Sequence, residues 1–177
     1  MPGVENMPFP GLVSKLNLLG LENMAGVTPQ KERTVFRNKG DAIAPAICYE
    51  SIFGEFISSF VQNGAEYLFI ITNDGWWGNT EGHRQHFEYA KLRAIENRIP
   101  IVRSANTGIS GYFNTKGDVL SRTEWWEKDA LKIALPKVEK HELTLYAIYG
   151  DYLGRMSHFL VIFTLLSVFV KRRTKGL

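Results

Sequence analysis

Apolar residues fall in short blocks separated by polar and glycine-bearing stretches, and their spacing changes along the chain. Residues 42–48 form an apolar block of the kind a buried strand shows, with Pro45 marking either an off-centre position or an irregularity. Over 51–63 the apolar positions Ile52, Phe53, Phe56, Ile57, Phe60 and Val61 recur at three- and four-residue spacing. That pattern predicts a one-sided helix, with Ser51 as its N-cap and Gly64 as its stop. Residues 67–72 read as a second buried strand, 73–78 as a loop and about 81–97 as a second helix whose inner stripe is Phe87, Ala90, Ala94 and Ile95. A third strand is expected over 99–103, and a turn at 106–108. Residues 111–113 and 119–120 flank a hairpin turn at 114–117, and 130–135 supply one more strand. Upstream, residues 1–41 read as an irregular arm with a short strand, Thr34-Val35-Phe36, near its end.

Strand, helix, strand, helix and strand, followed by short strands, point to an α/β sheet with helices packed on it. The last apolar block is different. Residues 156–170 contain no Asp, Glu, Lys or Arg and run directly into Lys171, Arg172 and Arg173. As a helix they would span roughly 22 Å, short of the roughly 30 Å of a bilayer core. The basic cluster nevertheless favours a membrane span over a buried helix, because Lys and Arg snorkel and concentrate on the cytoplasmic side. Extension back through Tyr152 and Leu153 would lengthen it, with Arg155 near the interface.

Composition narrows the function classes. With 45% hydrophobic and 22% charged residues the chain is an ordinary globular one, and its net charge of +3 is mild. Four of its 21 basic residues sit at the end, at Lys171, Arg172, Arg173 and Lys175, and no basic stripe with interleaved aromatics argues for nucleic acid. The single cysteine excludes an internal disulfide and a cysteine-rich zinc site. The first residues have neither the charged nor the apolar region of a signal peptide.

That cysteine, Cys48, stands where the first predicted strand gives way to the first helix. A lone cysteine is ordinarily a small buried hydrophobe. At a strand–helix elbow, however, the N-terminal N–H groups of the helix favour a thiolate, and the turn exposes it at the sheet edge. Glu50, two residues on, is close enough to orient a cation or proton carrier. Trp76 and Trp77 lie in a loop bounded by Gly75 and Gly78, where a tryptophan pair more often lines a site or a lipid surface than fills a core. His83 and His86 have no acid or cysteine at ligand spacing, so they read as helix surface or hydrogen-bonded structure, and neither a metal nor a cofactor is expected. Arg93 and Glu96 suit an i,i+3 ion pair. Trp125 and Trp126 fit either an interfacial anchor or packing under the hairpin.

The order of motifs carries more than any one of them. Ile47-Cys48-Tyr49-Glu50, Thr72-Asn73-Asp74-Gly75-Trp76-Trp77-Gly78, Gln85-His86, the run from Arg93 to Arg98 and the run from Arg103 to Gly111 together resemble the nitrilase-superfamily domain of apolipoprotein N-acyltransferases. Tyr149-Gly150-Asp151 before the apolar tail, and Val4-Glu5-Asn6-Met7-Pro8, resemble that family too. The resemblance implies a nitrilase-type α/β sandwich, incomplete at its N-terminal side, plus one C-terminal transmembrane helix. Residues 1–150 would be the catalytic domain, and 151–177 the helix and its basic tail. It implies that Cys48 is the nucleophile taking an acyl chain from a phospholipid and that a diacylglyceryl-modified lipoprotein is the acceptor. Glu5 and Glu50 would be further catalytic acids, and Tyr49, Trp76 and Trp77 would line the substrate. The partners would be phospholipid, lipoprotein and membrane, with no nucleic acid and no metal. The setting would be the bacterial inner membrane, the domain facing the periplasm.

The same resemblance implies a Glu–Lys–Cys triad, of which only the cysteine has a counterpart here; Lys15 and Lys31 do not sit in the family's lysine motif. The chain is therefore expected to be a fragment or truncated product with little or no transferase activity alone. Two rivals remain: a soluble carbon–nitrogen hydrolase cleaving amides or nitriles with the same cysteine, and a non-catalytic membrane-anchored remnant.

Overall fold

A computed structural model of the chain describes residues 32–138 and 142–174. Six strands form one sheet in the order β1-β2-β3-β4-β5-β6: β1 Phe36–Asn38, β2 Asp41–Ile47, β3 Tyr67–Asn73, β4 Ile101–Asn106, β5 Gly111–Phe113 and β6 Val119–Arg122. β2, β3 and β4 are parallel, and β1, β5 and β6 add on antiparallel. Parallel neighbours need crossovers, and the two predicted helices supply them: α1, Gly54–Gln62, and α2, Glu81–Asn97. Because the strands advance in one direction, right-handed crossovers put both helices on the same face. Ala44, Ala46, Leu68, Ile70, Ile101 and Phe113 meet Ile57, Phe60, Val61, Phe87, Ala90 and Ala94 there, in one buried core.

Several local expectations shift. β1 starts at Phe36 rather than Thr34, and joins β2 through Lys39 and Gly40, both at positive φ as a two-residue hairpin requires. The first helix begins at Gly54, not Ser51: residues 48–52 form a tighter 3₁₀ turn, and Phe53 is extended. Gly54 is required there, since a Cβ would fall 2.6 Å from Arg93 Nη1 and would also strike the Tyr146 hydroxyl. Gly64 does end α1, at φ +85. On α2 the inner stripe holds for Phe87, Ala90 and Ala94, whereas Ile95 is exposed and turns toward the hairpin glycine, Gly117. Residues 130–135 do not form a strand. Leu131, Ile133 and Leu135 are half-buried between exposed neighbours, so the alternation survives. A strand also needs a ladder partner, and none of the described residues pairs with this segment. It is tied down instead by Tyr67, whose hydroxyl donates to the Pro136 carbonyl (2.7 Å) and accepts from the Val138 N–H.

Two helices follow among the described residues. α3, Leu145–Tyr149, is capped by Thr144, whose hydroxyl accepts from Ala147 N–H and donates to the Glu96 carbonyl of α2. α4, Tyr152–Thr174, is longer than its apolar core predicts. Its stretch Tyr152–Arg172 is long and apolar enough to cross a membrane, and none of it is buried. At 1.5 Å per residue its 21 residues reach about 31 Å. Its root is fixed to α1: Glu55 accepts the Asp151 N–H (2.8 Å) and pairs with Arg155 (3.2 Å).

Candidate functional site

The carboxyl ends of β2, β3 and β4 lie along one edge of the sheet, the edge at which open α/β sheets present their chemistry. Cys48 follows β2, the segment Asp74–Trp77 follows β3, and Thr107 follows β4. Cys48 is partly exposed and sits at φ +51, a left-handed conformation that a non-glycine residue holds at a cost of about 1–3 kcal/mol. Two side chains hold it. Glu50 Oε2 accepts the Ile47 N–H (2.8 Å), on the strand side, and Ser51 Oγ donates to the Cys48 carbonyl (2.9 Å), on the helix side. Glu50 thus bonds the backbone of the elbow. α2 finishes the turn, as Arg93 Nη1 donates to the Ile52 carbonyl (3.0 Å) while Nη2 pairs with Glu96, the expected i,i+3 partner.

Aromatic rings crowd the same edge. Tyr49 is 46% exposed, with its ring centroid 6.3 Å from Trp77 and 5.8 Å from His86. Trp77 lies on the first turn of α2, where Gly82 makes room: a Cβ there would come within 2.4 Å of the indole. Trp76 stands 85% exposed beside it. The structure therefore brings Cys48, Tyr49, Glu50 and Trp77 together and leaves Trp76 projecting at the rim; Glu5 lies outside the described residues.

Beneath this surface is a buried polar cluster that sequence reading missed. His86, expected on the helix surface or in a hydrogen bond, is 2% exposed; its Nδ1 is 2.9 Å from Asp74 Oδ1 and its Nε2 3.3 Å from Ser51 Oγ. Its acidic partner comes from the loop after β3, not from the helix. Asp74 also accepts from Thr72 (2.9 Å) and from Arg103 Nη2 (2.6 Å), whose Nη1 reaches the Ile109 carbonyl. Burial pushes the Asp74 carboxyl up, but hydrogen bonds and charge from His86 and Arg103 outweigh it, and the pKa falls to about 2. Burial lowers Arg103 from the usual guanidinium value; Asp74, and negative charge at Cys48, pull it back up. One signal was available in the sequence. Arg103 shares its strand face with Ile101, a core residue, so the alternation itself places a cation inside. His83 takes a separate path, stacked on Trp125 at 3.8 Å, which settles that tryptophan as packing while Trp126 stays exposed.

The cluster leaves no slack. A Cβ on Gly108 would fall 2.5 Å from Asp74 Oδ2 and 2.9 Å from the Ala105 Cβ. Gly108→Ala is expected to cost about 1–3 kcal/mol, as overpacking does. Thermal melting in detergent checks it, and an unchanged transition would mean that the loop yields freely.

Comparison with known proteins gives a consistent picture. A family model described as carbon-nitrogen hydrolase matches residues 8–143. An apolipoprotein N-acyltransferase of Thermotoga maritima is 33% identical over 173 residues, which is 97% of this chain and 33% of that protein. Another, from Chlorobaculum tepidum, is 39% identical over 109 residues, 62% of this chain and 20% of that one. The chain thus spans about a third or less of the length of these relatives. Among solved structures, Saccharomyces cerevisiae Nit3, a member of branch 10 of the nitrilase superfamily, superposes with a TM-score of 0.52. It shares 18% identity and covers 61% of this chain and 42% of its own, so the likeness is one of fold.

Proposed function

The chain belongs to the carbon-nitrogen hydrolase family, and from that membership we propose that it serves acyl transfer from a phospholipid, through a thioester on Cys48, to the N-terminal amine of a diacylglyceryl-cysteine lipoprotein. The observation that carries the reading is Cys48 itself: partly exposed, strained at φ +51, at the end of a parallel sheet and followed by Tyr49, whose ring meets Trp77. The Cys48 thiol gives up its proton as the sulfur attacks the ester carbonyl, the carbon–oxygen bond breaks, and the lysophospholipid leaves as an alcohol carrying that proton. The acceptor amine then attacks the thioester, an amide forms, and the thiol is regenerated. Tyr49, Trp76 and Trp77 offer an apolar surface to the acyl chain. Glu50 acts by holding the elbow, and Glu5 enters as a catalytic acid on resemblance alone. Residues 1–150 form the catalytic part and 151–177 the anchor. α4 crosses the bacterial inner membrane with the sheet on the periplasmic side and Lys171, Arg172 and Arg173 in the cytoplasm. The names of the relatives and the apolar α4 support this assignment.

The test uses a chimaera in which residues 1–177 replace the matched third of the Thermotoga maritima relative, reconstituted with phospholipid bearing a tagged acyl chain. Tag on Cys48 that neutral hydroxylamine removes, followed by tag on a diacylglyceryl peptide, is the expected result. The chain alone is expected to show little turnover. Release of ammonia from simple amides by a chimaera that takes no acyl tag would replace this reading with that of an amidase.

A further inference from the structure

From the buried cluster we infer that His86 is a positioning residue for Cys48, acting through the hydroxyl of Ser51. The inference deepens the reading of Cys48 as nucleophile and rests on it.

Ser51 is 1% exposed and has one hydroxyl proton, and two acceptors stand within reach of its oxygen: the Cys48 carbonyl at 2.9 Å and His86 Nε2 at 3.3 Å. The opposite ring nitrogen, Nδ1, stands 2.9 Å from Asp74 Oδ1 and 3.2 Å from Arg103 Nη2; Arg103 directs its short bond (2.6 Å) to Asp74 Oδ2, and the nearer carboxylate oxygen assigns Nδ1 a hydrogen. Nε2 is left to decide the outcome. As a bare nitrogen it competes with the Cys48 carbonyl for the Ser51 proton; as N–H it donates to Ser51 Oγ and directs that proton onto the carbonyl. The carbonyl contact is the shorter, 2.9 Å against 3.3 Å, so the Ser51 proton lies on the Cys48 carbonyl and the ring holds the hydroxyl oxygen from behind; Ser51 is thereby the helix-side clamp on a residue held at φ +51. Asp74, in turn fixed by Thr72 and Arg103, keeps the ring from turning away. The line Asp74, His86, Ser51, Cys48 runs from the end of β3 through α2 to the elbow after β2, so three elements are locked to one carbonyl.

Cys48 is the only cysteine in the chain, so thiol labelling reports on it alone. The probe is iodoacetamide at neutral pH, applied to the full chain in phospholipid–detergent micelles, with labelling followed by mass. His86→Asn keeps an amide nitrogen near the Nδ1 position, preserving the bond to Asp74, but cannot reach Ser51. Its labelling rate is expected to fall about three- to tenfold, the factor one hydrogen bond carries. His86→Gln, whose amide reaches toward the Nε2 position, is expected to restore part of that loss. Ser51→Ala leaves the bonds among His86, Asp74 and Arg103 in place and is expected to show the same fall. The double variant should then be no slower than either single one, since both remove one link. Wild-type rates in Ser51→Ala, or losses that multiply in the double variant, would overturn the inference, and the serine variant decides even if His86→Asn does not fold. No acyl donor enters the measurement. A chimaera that transfers acyl chains while labelling ignores His86 and Ser51 would sink this inference alone. The expected labelling pattern without acyl transfer would sink the proposed function alone.

Discussion

Asp74→Asn lowers the stability of the folded chain by about 3–5 kcal/mol near neutral pH, the usual cost of breaking one side of a buried ion pair. Arg103 is the reason. Its side chain is 0% exposed, as is that of Asp74, and the substitution leaves a guanidinium buried without its carboxylate counter-charge. Arg103 Nε already has no hydrogen-bond partner among the described residues, so the site holds nothing in reserve. The effect depends on pH in a fixed direction. The Asp74 pKa is depressed in the fold, from the usual 3.8 to about 2, so its contribution is complete above the unfolded value and is lost as pH falls through the folded one. That difference, nearly two units, corresponds to about 2 kcal/mol. It is smaller than the cost of the substitution because a protonated carboxyl still fills the space and keeps some bonds. Thermal or denaturant melts of wild type and variant in micelles should therefore diverge most near pH 7 and approach each other between about pH 4 and pH 2. A gap that stayed constant through that window would show that Asp74 holds the site by shape and not by charge.

Much of the frame was legible because periodicity and burial agree. Ala44, Ala46, Leu68 and Ile70 lie on the covered face of parallel strands, and the apolar blocks that contain them were enough to locate those strands. α2 begins and ends where it was expected, with Thr80 capping one end and Arg98 in a left-handed conformation at the other. Failures cluster where tertiary contacts override local pattern. The apolar spacing of Ile52 and Phe53 continues the stripe of α1, yet the helix waits for Gly54 because Arg93 claims the Ile52 carbonyl and Ser51 spends its hydroxyl on Cys48. Residues 130–135 carry the alternation of a strand without a neighbour to pair with, and α4 takes in Tyr152 to Arg155 because Glu55 anchors that first turn.

The candidate site was legible in its outer layer only. Cys48 at the strand–helix junction, the acid two residues on and the tryptophans between glycines were all marked by local sequence. The inner layer was not, because Asp74, His86, Ser51 and Arg103 are 12 to 52 residues apart from one another, or meet only through the crossover geometry of β2, β3 and β4. His86 shows the difficulty most sharply: it lies four residues before Ala90 and eight before Ala94, on the inner stripe of its helix, but the carboxylate it meets comes from another loop.

Cys48→Gly is expected to separate the chemistry of the elbow from its cost. Acyl transfer by the chimaera falls roughly a thousandfold or more, since the neighbouring hydroxyl of Ser51 is buried and bonded to the backbone of residue 48 and does not replace the thiol. Stability moves the other way or stays level. A left-handed φ of +51 strains cysteine and suits glycine, while the greater freedom of glycine in the unfolded chain offsets part of the gain. The net change is expected to lie between zero and about 1 kcal/mol in favour of the variant, unlike the loss of a core side chain, which costs several times that. Melting temperature and tagged-acyl capture, measured on the same preparations, check both halves. A variant that loses stability as a core deletion does would identify Cys48 as packing, and its conformation as incidental. Strain at Cys48 relieved by removing its side chain, with acyl transfer lost in the same variant, is the pattern expected of the proposed nucleophile.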